Sequence, residues 1–311
     1  MVVEISIIGS GFVGRGWAVC FARAGHRVRL WDPAAGAAAE ACDYIAAMLP
    51  DLGQHGLLGD MSPESTLEAI AIADSLEQAV AGAVYIQENA PEQLEVKQRL
   101  FSDLDRLAPQ DAVLASSTSA LLPSAITEGL PGRARCIVAH PVNPPHLIPL
   151  VELVPSPWTA PETVARAESL MAEIGQTPVR VEREIDGFLL NRLQTAVLDE
   201  AFRLVDGGYA SVEAVDACMS DGLAPRWSFM GPFETIDLNA PGGVRDYVTR
   251  YQGMFMRLAD TMRYSADWTG PALDTVEEGR RARLPEKDLR ARQMWRDRKL
   301  MAHAAFRHGQ I

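Results

Sequence analysis

The segment Gly9-Ser-Gly11-Phe-Val-Gly14 constrains this chain more than any other feature. It follows the hydrophobic run Val2–Ile8 directly and opens an apolar, helix-like stretch, Gly11–Ala24, that Gly25 ends. A buried strand must therefore pass through a tight glycine turn into a helix, the first half of a βαβ unit. Each glycine has a reason to be there. Gly9 makes the turn, Gly11 lets backbone approach a pyrophosphate, and Gly14 allows helix and sheet to pack closely. The first helical turn, with Phe12 and Val13, offers unpaired amides and a partial positive charge to phosphate oxygens. A second strand, Arg27–Trp31, ends at Asp32, eighteen residues beyond Gly14. That carboxylate can accept both ribose hydroxyls of an adenosine and would repel a 2′-phosphate, so the expected cofactor is NAD. A flavin would need a second set of contacts, for which the sequence offers no candidate.

Downstream, short apolar runs alternate with helical stretches, the pattern of a mostly parallel sheet wound with helices. Ala34–Met48 and Pro91–Leu107 read as helices. Ala69–Ala73, Val84–Glu88, Val113–Ser116 and Cys136–His140 read as strands. After a proline-dense stretch, 140–149, which cannot be helix interior, come a strand at Leu150–Val154, a helix at Pro161–Ile174 and a strand at Val179–Glu182. From Gly187 strand signals stop, and helical periodicity dominates Phe188–Val205, Val212–Met219 and Val244–Thr261. The expected architecture is α/β: a Rossmann-like, doubly wound domain over 1–185, then an all-helical domain over 186–311. The arginine-rich final helix, near Pro285–His303, reads as a solvated face or a subunit contact.

Hydrophobic residues make up 48% of the chain and charged residues 23%, the proportions of a folded globular protein. A net charge of −12 disfavours nucleic acid and anionic membranes as partners. Cys20, Cys42, Cys136 and Cys218 are widely spaced in apolar segments and read as reduced thiols. The N-terminus runs straight into the glycine turn and reads as structure, not as a signal peptide, and no run is long enough to span a bilayer. The cytoplasm is the expected location.

Of six histidines, only His140 and His146 lie in the proline-rich stretch behind a buried strand, where an imidazole can face a cleft. Glu152, twelve residues past His140, sits in a strand that can return alongside. A carboxylate beside an imidazole raises its basicity, fixes its tautomer and stabilises the imidazolium. Asn143 lies between them, as an orienting group or a turn-former. Metal binding by His140, His146 and Glu152 is set aside, because the spacings match no common zinc pattern.

The run His140-Pro-Val-Asn-Pro-Pro-His-Leu-Ile-Pro-Leu-Val-Glu152 resembles the catalytic segment of the 3-hydroxyacyl-CoA dehydrogenase superfamily, in particular its λ-crystallin and L-gulonate 3-dehydrogenase branch. So do Glu184-Ile-Asp-Gly-Phe-Leu-Leu-Asn191-Arg-Leu, Ser220-Asp-Gly-Leu-Ala-Pro-Arg226 and Gly231-Pro-Phe-Glu-Thr235. The resemblance implies that His140 is the catalytic base and Glu152 its partner. It implies that Ser119 and Asn191 hold the reacting oxygen, and that Glu88 and Lys97 line the nicotinamide side of the cofactor site. It implies substrate in a cleft between two domains, and a homodimer through the helical domain. Arg226-Trp227 replaces a glycine-rich, uncharged stretch of the acyl-CoA enzymes, which suggests Arg226 as a grip for a substrate carboxylate. The implied reaction is oxidation of the 3-hydroxyl of a small hydroxy acid, with L-gulonate preferred. The alternatives are a 3-hydroxyacyl-CoA, a carnitine-like substrate, or a crystallin-like structural protein without turnover.

Overall fold

Eight strands form one sheet: β1 (Glu4–Ile8), β2 (Arg27–Trp31), β3 (Ile70–Ile72), β4 (Tyr85–Glu88), β5 (Val113–Ser116), β6 (Cys136–Pro141), β7 (Leu150–Val154) and β8 (Thr177–Arg180). Their spatial order is β3-β2-β1-β4-β5-β6-β7-β8. Every neighbouring pair is parallel except β6 and β7, which run antiparallel. The order reverses direction between β1 and β4, and in such sheets ligands bind outside the carboxyl ends of the strands at that point. The helices α1 (Phe12–Arg23), α2 (Ala37–Gln54), α3 (Pro63–Glu68), α4 (Leu76–Val80), α5 (Leu94–Leu107), α6 (Pro123–Thr127) and α7 (Pro161–Glu173) are threaded between the strands.

Because side chains alternate across a strand, adjacent residues enter different cores. Ile7, Tyr85, Val113, Ala115, Ile137 and Ala139 belong to a cluster with Trp17 and Phe21 of α1, Ile45 and Leu49 of α2, and Met171 of α7. Ile8, Ile86 and Leu114 belong to another with Phe101 and Leu104 of α5. Burial on both faces is why these strands read as continuous apolar runs. One helix runs further than its sequence suggests. α2 carries Pro50 in its interior and continues to Gln54, its buried Ile45, Leu49 and Leu52 keeping one face on the core.

The computed structural model describes residues 1–309, so the last two positions of the stretch 186–311 lie outside the described residues. Two units divide the chain, Met1–Asn191 joined by the segment from Met294, and Arg192–Gln293. The remaining helices are α8 (Leu190–Asp206), α9 (Val212–Ala217), α10 (Ala224–Trp227), α11 (Pro232–Leu238), α12 (Gly243–Thr261), α13 (Pro271–Arg283) and α14 (Leu289–His308). A π-helical turn, Cys218–Leu223, links α9 to α10. Within the second unit, Arg203 of α8 pairs with Asp199 and Glu200 and donates to the Tyr264 carbonyl, and Trp268 stacks on Phe202 with centroids 5.0 Å apart. Leu300, Met301, Ala304 and Ala305 of α14 pack on the first unit's core. The apolar face of that helix is thus used within the first unit, while Arg296, Arg298 and Lys299 stay exposed.

Candidate active site

At the end of β1, Gly9 adopts φ +92°, and a Cβ there would come within 2.8 Å of the Asn89 carbonyl oxygen. A Cβ on Gly14 would meet the Gly9 carbonyl oxygen at 1.9 Å. Position 11 is different: a Cβ would meet nothing within 4 Å. Two glycines are therefore demanded by packing, and the third faces open space at the start of α1, where a pyrophosphate needs room. α1 has no side-chain cap at Gly11, so its first amides remain available to an anion. Phe12 is exposed, with the Arg15 guanidinium 4.2 Å from its ring centroid and 3.7 Å from that of Tyr44. Val13 packs against the core, which leaves its backbone as the part facing the loop.

Asp32 holds this loop in place. Its Oδ2 accepts from the Ser10 amide and hydroxyl at 2.8 and 3.0 Å, and its Oδ1 accepts from the Ala34 amide at 2.9 Å. A carboxylate has about four acceptor sites, so a ribose would share Asp32 with three protein donors. The sequence reading lets this acid accept both ribose hydroxyls, which would join the Ser10 and Ala34 donors on it.

Glu88 and Lys97 come together, but beneath the surface. Lys97 Nζ lies 2.7 Å from Glu88 Oε1 and 3.0 Å from the Ala90 carbonyl oxygen, and both side chains are fully buried. The other Glu88 oxygen accepts from the Ser116 hydroxyl. The resemblance made these two residues lining of the cofactor site; the structure makes them a buried ion pair on the α5 face of the sheet. The half-exposed acid above them is Glu92, whose Oε2 is 3.6 Å from Lys97 Nζ. Its Oε1 accepts from the Thr118 hydroxyl and from the amides of Ser119 and Ala120 at 2.9 and 3.0 Å. Burial works against its charge, but the Thr118 hydroxyl, Lys97 and these amides outweigh that and hold the carboxyl below its usual range. The sequence reading missed Glu92. An acid in a proline turn ahead of a helix looks like surface charge, and only the fold brings the 118–120 loop onto it.

Ser119 is exposed, and its carbonyl oxygen accepts from Asn191 Nδ2 at 2.8 Å. The loop is thus held at the Ser119 amide by Glu92 and at its carbonyl by Asn191.

His140 and Glu152 are direct register partners across the antiparallel β6–β7 pair. Nδ1 of the imidazole lies 2.8 Å from Glu152 Oε2, and the exposures are 5% and 1%. Glu152 Oε1 accepts from the amides of Leu189 and Leu190 at 2.7 and 3.0 Å. Those amides are aimed by two consecutive left-handed residues, Gly187 at φ +73° and Phe188 at +48°. A non-glycine residue in that region is costly and persists only where its surroundings impose it. Here the Phe188 ring is buried 5.5 Å from the His140 ring, against Val138, Val154 and Val181. Burial works to raise the Glu152 carboxyl, but the hydrogen bonds from His140, Leu190 and Leu189 prevail and hold it below the usual range. An ionised carboxylate only accepts, so Nδ1 carries the imidazole proton and Nε2 presents a lone pair.

His146 does not share this setting. It is buried behind α1, its Nδ1 unpartnered and 3.2 Å from where a Cβ on Gly16 would sit. Burial, with Arg23 and Arg15 nearby, lowers its pKa to about 3. The sequence alone lets either imidazole of this stretch face a cleft. Asn143 is exposed and joined to Pro144 by a cis peptide bond. Arg226 is exposed on α10, in the second unit.

Family comparisons bear on this geometry. Residues 4–185 match the NAD binding domain of 3-hydroxyacyl-CoA dehydrogenase and residues 187–280 its C-terminal domain. The chain is 44% identical over 307 residues to the lambda-crystallin homolog of Rattus norvegicus, covering 98% of this chain and 96% of that one. It is 36% identical to an L-carnitine dehydrogenase of Pseudomonas sp, covering 95% and 91%. Among solved structures, an NAD+ dependent 5-formyl-3-hydroxy-2-methylpyridine 4-carboxylic acid 5-dehydrogenase matches with a TM-score of 0.83 and 29% identity over 97% of each chain.

Proposed function

This chain belongs to the 3-hydroxyacyl-CoA dehydrogenase family and is an NAD-dependent dehydrogenase acting on a CH–OH group, and we propose that its substrate is a small 3-hydroxy acid with a free carboxylate, L-gulonate first among them. The observation that carries the chemistry is the buried His140–Glu152 contact at 2.8 Å. NAD, when bound, supplies the hydride acceptor; the first turn of α1 and Asp32 would hold its phosphates and adenosine ribose. His140 Nε2 takes the hydroxyl proton, and Glu152, fixed by two amides, stabilises the imidazolium that results. Ser119 and Asn191, joined to each other through a backbone carbonyl, hold the oxygen as it becomes a carbonyl. General-base help of this kind contributes about 10²–10⁴-fold. Orientation by the fixed loops supplies much of the rest.

A carboxylate-bearing substrate is supported by the relatives. One acts on L-carnitine, itself a 3-hydroxy acid, and another on a pyridine carboxylic acid. We assign the carboxylate to Arg226, through a paired guanidinium contact, and Asn143 to orienting the substrate. The exposed apolar side chains of α11 and α12, among them Phe233, Leu238 and Met256, together with a groove of 440 Å³ lined by Ile236, Val248, Phe255 and Met256, support a homodimer formed through this unit. Among the described residues no helix is long and apolar enough to cross a membrane, and a cytoplasmic setting completes the reading.

The test is NADH formation from L-gulonate, L-3-hydroxybutyrate, carnitine and 3-hydroxybutyryl-CoA side by side, with wild type and Arg226→Ala. The expected result is turnover of the free acids and a KM for them at least about tenfold higher in the variant, as the loss of a paired charged hydrogen bond requires. Turnover of the thioester alone, or an unchanged KM in a folded Arg226→Ala protein, would overturn it.

A further inference from the structure

On the α1 face of the sheet, opposite the Glu88–Lys97 pair, a second polar cluster lies under the strand ends. Its hub is the Ser117 hydroxyl, which accepts from Trp17 Nε1 at 3.0 Å and Gln87 Nε2 at 2.7 Å and donates to Asn89 Oδ1 at 2.8 Å. Gln87, fully buried, donates again to the Ala139 carbonyl at 3.3 Å, and its Oε1 accepts from the Tyr85 hydroxyl at 2.8 Å. Asn89 Nδ2 donates to the carbonyls of Ile8 and Gln87 at 3.2 and 3.0 Å.

A donor and acceptor count shows that this cluster has one arrangement. The serine hydroxyl has one hydrogen and two lone pairs, and all three are used. Both amide hydrogens of Gln87 and both of Asn89 are used. The indole can only donate, and the carbonyls of Ile8, Gln87 and Ala139 can only accept. Turning the Gln87 amide over would set its oxygen against the Ala139 carbonyl. It would also require the Ser117 hydrogen for itself and strip Asn89 Oδ1 of its donor. Buried networks that are fully satisfied in one arrangement rigidify what they connect.

What they connect is the site. Asn89 presses its backbone on Gly9 of the cofactor loop, Ser117 lies two residues before Ser119, and Ala139 immediately precedes His140. We propose that Gln87 is a positioning residue, whose side-chain amide ties the carboxyl ends of β4, β5 and β6 together, with Asn89 extending the network to β1, so that the cofactor loop, the Ser119 loop and His140 keep a fixed mutual geometry. The proposal rests on the reading of His140 as the base. Misplacement by about 1 Å can cost about 100-fold in rate, and no other side chain reaches both the β5 and β6 strand ends from β4 in this network.

The experiment compares Gln87→Leu, Ser117→Ala, Ser117→Thr, Tyr85→Phe and His140→Ala in the full chain. It reads kcat, KM, NAD affinity by calorimetry and the primary deuterium isotope effect on kcat. Gln87→Leu is expected to lose about 10- to 100-fold in kcat, with NAD affinity and KM within about threefold and a raised isotope effect. Ser117→Ala follows in the same direction, and Ser117→Thr, which restores the hydroxyl, recovers most of the loss. This pair carries the test if Gln87→Leu does not fold. Tyr85→Phe leaves both Gln87 donations in place and keeps kcat within about twofold while melting earlier. Wild-type kcat in Gln87→Leu or in Ser117→Ala overturns the proposal, as does a loss that appears only in NAD affinity or leaves the isotope effect unmoved. His140→Ala separates the two ideas. If it retains turnover, the base assignment falls and this proposal with it; if it is inactive while Gln87→Leu is unimpaired, only the network's role is removed.

Discussion

Replacing Glu152 by Gln keeps the shape of the side chain and tests the charge. The glutamine oxygen can still accept from the Leu189 and Leu190 amides, which lie 2.7 and 3.0 Å from Glu152 Oε1. Its NH2 then faces His140 Nδ1, where the carboxylate oxygen stood at 2.8 Å. An amide N–H facing Nδ1 forces that nitrogen to accept, so the ring proton moves to Nε2 and the lone pair proposed as the base is lost. The imidazolium also loses its counter-charge. With charge centres about 4 Å apart at an effective dielectric near 20, that attraction is about 4 kcal/mol. At about 1.4 kcal/mol per factor of ten this is close to 10³ in rate, within the range of about 10²–10⁴ for base catalysis.

Glu152→Gln should therefore lose about 10³-fold in kcat, with the KM for NAD changed by less than about threefold because no cofactor contact is removed. Two charge-assisted hydrogen bonds become neutral ones, costing about 1–2 kcal/mol of stability. The sign with pH follows from the lowered Glu152 carboxyl. Its contribution is present above the unfolded value of about 4.3 and disappears as pH falls through the lower folded value. The stability gap between wild type and variant should thus close in acid. Steady-state NADH formation and urea titrations at several pH values measure both. A folded Glu152→Gln enzyme within about threefold of wild-type kcat would refute the tautomer argument.

Lys97→Met should strand the Glu88 carboxylate, fully buried and 2.7 Å from the lysine nitrogen. Removing one partner of such a pair costs about 3–5 kcal/mol, and at about 2–4 °C per kcal/mol the melting temperature should fall by roughly 6–20 °C. A lysine that lined the cofactor site would instead raise the KM for NAD with little change in melting, so calorimetry and kinetics on one sample distinguish the two. His146, with its pKa lowered to about 3 by burial first and the two arginines second, binds its proton more readily unfolded than folded. Stability therefore rises with pH across the window from about 3 to about 6.5, and His146 alone should cost about 2 kcal/mol at pH 5 relative to neutral pH. Urea midpoints of His146→Leu that fall as steeply between pH 7 and pH 5 as those of wild type would count against this account.

The parts of the fold that sequence made legible are those where neighbours in the chain decide the outcome. The strand, glycine turn and helix at 4–23, the strand runs of β4 to β7, and the end of strand signals after Gly187 all rest on local periodicity and turn chemistry. Local pattern misjudged α2, where the interior Pro50 suggests a stop but buried residues on one face carry the helix on. It could not place Glu88 with Lys97, because strand parity settles which face the acid joins, nor find Glu92, because only the fold brings the 118–120 loop onto it. Gln87 and Glu88 are adjacent in sequence, yet one enters the network on the α1 face and the other the ion pair on the α5 face. The two histidines of the 140–149 stretch diverge for a similar reason. His140 lies within β6, on the face of Val138 and Phe188, whereas His146, in the loop beyond, drops behind α1 where Gly16 leaves it room.

Register, finally, is what sets His140 against Glu152, the pair proposed as base and partner. The sheet is parallel up to β6 and turns antiparallel only for β7, which lets residues twelve apart in sequence face each other directly. Directly opposed side chains in an antiparallel pair have Cβ atoms about 4.5–5.5 Å apart, close enough for the 2.8 Å contact found. A slip of one residue would bring Val151 or Leu153 opposite the imidazole and turn Glu152 to the other face. Those two valine and leucine side chains are fully buried in the α1-side core, so the slip would also expel them from it and place a carboxylate there. The same apolar packing that stabilises β7 therefore enforces the alignment of acid and imidazole, and substitutions of Val151 or Leu153 that loosen it should reduce turnover without touching a polar atom of the site.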